Sequence, residues 1–217
     1  MTLHNLETST SILNQFIAEI RDEVIQKDQM RFRRNIERIG EVLGYELSKK
    51  LTVTSREVQT PLGIKTVTVP DEKLVLCSIL RAGMPLHQGL LNYFDKEENA
   101  FISAYRHHPD DSDAFEVVVN YLAAPSIEGK TLLLIDPMLA TGKTLENTYQ
   151  ALLKHGTPKH IHIISVIGSV EGVEYVKTIF PENTDIWIAT IDEKLSSRGY
   201  IVPGLGDAGD LSYGSKL

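Results

Sequence analysis

The chain has 217 residues, 42% of them hydrophobic and 24% charged, the balance of an ordinary water-soluble fold, in which about 70% of the unfolded surface is buried on folding. Cys77 is the only cysteine, which excludes an intramolecular disulfide framework, and a net charge of −7 argues against broad nucleic-acid binding while leaving room for an anionic substrate held by a few arginines in a crevice. The longest strictly apolar runs fall far short of the ~18 residues of a membrane span, and the polar start Met1-Thr2-Leu3-His4-Asn5 lacks a secretory pattern, so a cytoplasmic protein is expected, with no membrane partner.

No repeat, low-complexity tract or Gly/Ser linker interrupts the chain, which reads as a single unit over 1–217: helices and a β-arm to about 70, a core over about 71–192, and a C-terminal loop over about 193–217. Thr8-Ser9-Thr10-Ser11 offers N-caps to a helical pattern carried by Ile12, Leu13, Phe16, Ile17, Ile20 and Val24. A second helix follows, with Phe32, Ile36, Ile39, Leu43 and Leu47 on one face. Residues 51–69 alternate around Thr60-Pro61-Leu62-Gly63 and predict a β-hairpin arm.

From Leu74 onward, short apolar runs at 74–80, 101–105, 131–135, 161–167 and 185–191 alternate with helical patterns at 85–94, 144–155 and 170–180. Strands buried on both faces and separated by helices predict an α/β fold with a central, mainly parallel sheet flanked by helices. Residues 114–122 alternate instead, and predict an antiparallel partner for the strand at 101–105. The tail after Tyr200 is dense in glycine and reads as loop.

The richest segment is Asp136-Pro137-Met138-Leu139-Ala140-Thr141-Gly142-Lys143-Thr144, where a buried strand ends in an acid, turns through small residues and starts a helix. In open α/β sheets this position lies at the ligand crevice, and a helix start with a glycine and threonine hydroxyls suits phosphate. The strand-end carboxylate suits a vicinal diol. Gly142-Lys143-Thr144 is no P-loop, because that motif needs a glycine where Pro137 stands. Gly204-Leu205-Gly206-Asp207-Ala208-Gly209 has dinucleotide-fingerprint spacing, but so close to the chain end no helix is expected to open there and no acid lies ~20 residues on.

Arg81 and Arg106 each follow a buried strand, which directs both toward the same crevice. His107-His108-Pro109-Asp110-Asp111-Ser112-Asp113 has metal-site composition without ligand spacing and reads as a solvated loop. Arg31, Arg33, Arg34 and Arg38 form a basic run on the second helix, read as a solvated or interface face with RNA as the sharper alternative. Cys77 reads as core.

The segment Asp136–Gly142 resembles the phosphoribosyl-pyrophosphate loop of uracil phosphoribosyltransferases, in which Asp-Pro stands where most phosphoribosyltransferases carry two acids. Tyr200-Ile201-Val202-Pro203-Gly204-Leu205-Gly206-Asp207-Ala208-Gly209-Asp210 is similar to that family's uracil-binding loop almost throughout, and Ile79-Leu80-Arg81-Ala82-Gly83 and Tyr105-Arg106 are similar to its two pyrophosphate elements. The resemblance covers most of the chain. It implies the type I phosphoribosyltransferase fold with an N-terminal helix and hairpin arm and a C-terminal hood over the base. The implied reaction converts uracil and 5-phosphoribosyl 1-pyrophosphate (PRPP) to UMP and pyrophosphate, with Mg²⁺ carried by PRPP and Asp207 as a candidate ligand.

By the same resemblance Asp136 holds the ribose hydroxyls, the loop Pro137, Met138, Leu139, Ala140, Thr141, Gly142, Lys143 and Thr144 binds PRPP with the 5′-phosphate on its later residues, and Arg81 and Arg106 grip pyrophosphate. Ile201, Gly206, Asp207 and Ala208 recognise uracil, and Asp136, Arg106 and Asp207 form the catalytic set. A loop from Arg106 to about Ala114 is expected to close over substrate, keeping water from a cationic sugar. The family's commonest phosphate loop continues Gly-Gly-Ser, whereas this one continues Gly142-Lys143-Thr144. The resemblance also implies a homodimer or higher homo-oligomer and leaves a GTP effector open. The alternatives are a pyrimidine-operon RNA-binding regulator on the same fold, a silent scaffold, and a phosphoribosyltransferase for another base.

Overall fold

The computed structural model describes residues 1–107 and 116–215, with side chains described for 1–103 and 120–215. Its strands are β1 (Thr2–Asn5), β2 (Val53–Thr60), β3 (Gly63–Pro70), β4 (Leu74–Leu80), β5 (Glu98–His107), β6 (Glu116–Ala123), β7 (Thr131–Ile135), β8 (Met138–Leu139), β9 (His160–Ser169), β10 (Asp185–Asp192), β11 (Lys194–Leu195) and β12 (Ile201–Val202). Its helices are α1 (Ile12–Arg21), α2 (Gln29–Ser48), α3 (Gly83–Leu91), α4 (Lys143–Leu152), α5 (Val170–Ile179) and α6 (Ala208–Tyr213).

The main sheet runs β1-β10-β9-β7-β4-β5-β6, with β8 paired beside β9. All its ladders are parallel except β5 with β6, the antiparallel pair that the alternating pattern predicts. Alternation along the strands splits their side chains between two cores. Leu133 and Ile135 of β7 pack with Leu13, Ile17, Phe32, Ile39, Leu43 and Leu86 from α1, α2 and α3. Leu132 and Leu134 pack on the other face with Leu145, Tyr149, Val173 and Val176 from α4 and α5. Cys77 lies in that second core, where burial pushes its thiol up to about 12.

α1 starts at Ser11, whose side chain and that of Asn14 form a reciprocal capping box, and it ends at Arg21. The helical pattern drawn on to Val24 therefore overshoots, and Val24 is exposed because the helix has stopped before reaching it. The hairpin of β2 and β3 is exposed along nearly its whole length, with Leu62 fully exposed at its tip. β1 is an addition to the expected elements: a polar strand paired in parallel with the edge of β10. The tail also departs from expectation, since α6 opens inside the glycine-dense segment that was read as too short for a helix. Asp207 makes this possible, its Oδ1 accepting the Gly209 and Asp210 amides at 2.8 and 3.0 Å as an N-cap.

Candidate active site

Along the chain the parallel strands β4 and β5 are laid down in one direction, after which β7, β9 and β10 are laid down on the other side of β4. The order reverses between β4 and β7, and a crevice opens outside the carboxyl ends of strands at such a switch point. Arg81 leaves β4 on one side of that point and Asp136 leaves β7 on the other.

The loop after β7 is held by main-chain bonds. Asp136 N donates to Ile164 O at 3.1 Å, and Pro137 O accepts from Val166 N and Ile167 N at 3.1 and 3.0 Å. Met138 and Leu139 then pair with β9 as β8, so this part of the expected turn is a short strand. Ser169 Oγ donates to Ala140 O at 2.7 Å and accepts from Gly172 N at 2.8 Å, stapling the loop to the start of α5. Asp136 Oδ1 accepts from Met138 N at 3.2 Å, which fixes the carboxylate at the strand end.

Gly142 caps α4 with φ +79°, and a Cβ there would stand 2.8 Å from Tyr175 Cδ1 and 3.0 Å from Val176 Cγ2. Only glycine meets both demands. Thr141 Oγ1 makes only a long contact, 3.5 Å, with the Lys143 amide, and Gly142 has no side chain to cap α4. Its first-turn amides therefore sit at the cleft lined by Asp136, Met138, Leu139, Ala140, Thr141, Gly142, Thr144 and Leu145, with Lys143 exposed beside it.

The C-terminal loop meets this cleft from above. Ile201, Leu205 and Ala208 join the core that contains Ala140, with Met138, Ala82 and Leu211 packed against it. Gly204 has φ +64°, and a Cβ there would come within 2.1 Å of Ile201 O. Gly206 also has positive φ. Arg81 Nη2 donates to Asp210 Oδ1 and to Gly214 O, both at 3.1 Å, tying the β4–α3 turn to α6. The Leu80–Arg81 and Val202–Pro203 peptides are cis.

Residues that sequence reasoning passed over support this loop. Arg21 makes a two-pronged ion pair with Asp192, both contacts at 2.8 Å, and also donates to Gly204 O at 3.1 Å. Asp192 Oδ2 accepts the Gly204 amide at 2.8 Å, and these bonds hold its carboxyl below the usual range against the opposing effect of burial. The partners are 171 positions apart, so no local pattern could have paired them; an arginine ending an amphipathic helix was the one available signal.

The basic run on α2 is absorbed within the chain. Arg31 pairs with Glu19 through two bonds at 2.8 and 2.7 Å, Arg33 donates to Ser212 O at 2.6 Å, Arg34 pairs with Glu37 at 2.6 Å, and Arg38 donates to Asn35 Oδ1 at 3.1 Å. Such a face has little to offer RNA phosphates. β5 runs on to His107, so Arg106 and His107 stand within the strand, in register with Val117 and Glu116, rather than opening the expected loop after Tyr105; their side chains and residues 108–115, with the rest of the loop expected to close over substrate and the His107–Asp113 segment, lie outside what is described.

The structure thus brings Asp136, the 137–144 loop, Arg81, Ile201 and the 206–208 turn to one end of the sheet. A strand-end acid and a glycine-started helix at the switch point are the marks of a phosphoribosyltransferase. The uracil phosphoribosyltransferase family model matches residues 7–215. The uracil phosphoribosyltransferase of Porphyromonas gingivalis is 54% identical over 217 residues, covering 100% of both chains. That of Thermococcus gammatolerans is 36% identical over 218 residues, covering 99% of this chain and 94% of its own length. Among solved structures, the AQ2163 protein from Aquifex aeolicus gives a TM-score of 0.87 at 29% identity, covering 100% of both chains. The chain belongs to the uracil phosphoribosyltransferase family.

Proposed function

We propose that this chain, as a single phosphoribosyltransferase domain, transfers the phosphoribosyl group of PRPP to N1 of uracil, releasing UMP and pyrophosphate. The observation that carries this reading is the switch point itself, with Asp136 and Arg81 on its two sides and a loop of the uracil-binding pattern bonded to Arg81 through Asp210. The Asp136 carboxylate accepts hydrogen bonds from the ribose diol and orients the ring. The open end of α4, with Thr141, Thr144 and Lys143, takes the 5′-phosphate.

Catalysis follows from positioning and charge. The C1′–N1 bond forms as the C1′–O bond to pyrophosphate breaks, through an oxocarbenium-like state, and the N1 proton is released to water or to the departing pyrophosphate. Arg81, together with Arg106, takes up negative charge developing on the departing oxygens. The backbone of Ile201 and of Gly206-Asp207-Ala208 reads the uracil carbonyls and N3–H. Cytosine is rejected because it leaves a polar group unpaired.

Mg²⁺ fits the donor chemistry present, since Asp136 and Asp207 supply hard carboxylate oxygens, each carboxylate being anchored by backbone amides. Asp207 would hold the ion together with PRPP, and bound there it would supply charge neutralisation at the pyrophosphate. No helix among the described residues is long and apolar enough to cross a membrane; a cytoplasmic location is part of the same reading. A homodimer or higher homo-oligomer and a GTP effector complete the reading.

The test is a substrate panel: purified protein, Mg²⁺ and PRPP with uracil, cytosine, orotate, hypoxanthine or adenine, followed by chromatography. UMP alone is expected. A different nucleotide would keep the phosphate side and overturn the uracil assignment. No nucleotide from any base, with or without GTP, would overturn the enzyme reading.

A further inference from the structure

At the opposite end of the sheet, the amino ends of three neighbouring strands gather a second group of side chains. His160 and His162 stand two apart on β9 and so project from the same face. Asp185 opens β10 in register with His162, and His4 of β1 is in register with Trp187 of β10. Asp185 Oδ2 lies 2.9 Å from His160 Nε2 and 3.8 Å from His162 Nδ1, while Asp185 Oδ1 lies 3.0 Å from His4 Nε2. Donor atoms of His160, His162 and Asp185 all fall within 4.8 Å of one another.

A carboxylate bridging two imidazoles would account for His4 and His160 as a plain structural clamp. It does not account for His162. That ring is 3% exposed, and its Nδ1 accepts the Trp187 indole N–H at 3.1 Å, so Nδ1 carries no proton for Asp185 and its lone pair turns to the cluster when the Trp187 bond is given up.

Glu72, the other carboxylate that acts on His162, is already engaged by Thr52, Thr131 and Lys159. A tetrahedral zinc ion with bonds of ~2.0–2.2 Å sets its donors about 3.3 Å apart, so small side-chain rotations convert the observed spacings into a ligand set.

We propose that His160, His162 and Asp185 form a binding site for a divalent transition-metal ion of the zinc type, with His4 supporting the Asp185 carboxylate through its other oxygen. Two imidazoles and a carboxylate select such an ion over Mg²⁺ or Ca²⁺, and three protein ligands leave a position for water. The site lies outside the phosphoribosyl site: Asp136 meets β9 at Ile164 and Met138-Leu139 at Ile167 and Gly168, roughly 13 Å and 25 Å along the strand from His160. Its effect is structural, fastening the starts of β9 and β10 together beside β1.

The experiment uses the untagged, chelator-treated full chain without PRPP, titrated with zinc by calorimetry while the emission of Trp187, the only tryptophan, is followed. One zinc per chain is expected, with a change in Trp187 emission as the bond to His162 is replaced, and a rise in thermal midpoint with zinc concentration. His160→Gln and Asp185→Asn should each abolish the uptake while leaving UMP formation intact. His4→Ala should weaken it about tenfold. The double change His107→Ala, His108→Ala should leave it unaltered, which separates this site from the other histidine pair. Circular dichroism checks the fold of each variant, and the part-exposed ring of His160 makes His160→Gln the decisive one. Absence of uptake in a titration carried to millimolar zinc, or uptake unchanged in a folded His160→Gln protein, overturns the proposal.

Discussion

The two loops that meet at the carboxyl edge are held in opposite ways. The 136–144 loop is fastened by main-chain bonds to its neighbour β9 and by the serine at the end of that strand. The C-terminal loop pairs briefly with β11 through Ile201 and Val202, and beyond that short ladder it is tethered by side chains from far along the chain, Arg21 from α1, Arg33 from α2 and Arg81 from the β4–α3 turn. A phosphate has one shape, and a backbone cradle suits it. A flat base has to be admitted, covered and released, and side-chain tethers can break and re-form without disturbing a sheet. One consequence is that single substitutions reach the second loop far more easily than the first.

The largest expected effect lies on the phosphate side. Asp136→Asn keeps the shape but weakens the hold on the ribose, and should lower kcat/KM for PRPP by about 100-fold with an unchanged melting profile. Near-normal steady-state kinetics in this variant would remove Asp136 from the site. Next comes Arg21→Ala, which strands the buried Asp192 carboxylate and frees Gly204 O. It should raise the KM for uracil about tenfold and lower stability by about 2–3 kcal/mol in urea unfolding, while the KM for PRPP stays near its normal value. Equal shifts in both KM values would erase the contrast between the loops.

Arg33→Ala removes a bond to Ser212 O and the guanidinium that sits 5.8 Å from the Tyr213 ring centre. About 1 kcal/mol of stability should go with it, and a several-fold rise in KM should fall on uracil alone. The smallest effect is set by pH. Glu19 links α1 to α2, and the bonds from Arg31, then Gln15 and Asn35, lower its pKa from 4.5 to about 2. A depressed carboxylate stabilises the fold above its unfolded value and loses that contribution as pH falls from 4.5 through about 2. Glu19→Gln should accordingly flatten the acid limb of stability against pH, with the C-terminal loop loosening first in hydrogen exchange. An acid limb of the same slope in wild type and variant would show that Glu19 contributes nothing there.

Much of this was legible from the residues. The apolar runs of β4, β7, β9 and β10 and the acid and glycine after β7 carry both the sheet and the phosphate side, because these depend on residues close in sequence. What escaped depends on partners far apart or on too few residues. β1 is polar and lies on the sheet edge, so it has no hydrophobic period to show. β8 has two residues, and α6 has six, although Asp207 with Asp210 three positions on was a usable start signal. Arg31, Arg33, Arg34 and Arg38 read as one basic stripe until the acids and carbonyls opposite them are known. His160 and His162 sit in a run read for its apolar residues, and only strand register brings Asp185 and His4 to them.

Arg81 tethers α6, and under the proposed function it is also the cation offered to pyrophosphate. An anion that takes up this guanidinium does so in rivalry with Asp210 and the Gly214 carbonyl, so filling the pyrophosphate position slackens the cover over the base, and a tightly seated cover weakens the grip on the anion. By reciprocity the two substrates sense each other through one side chain, and the departing diphosphate carries the unlatching signal for the nucleotide left behind.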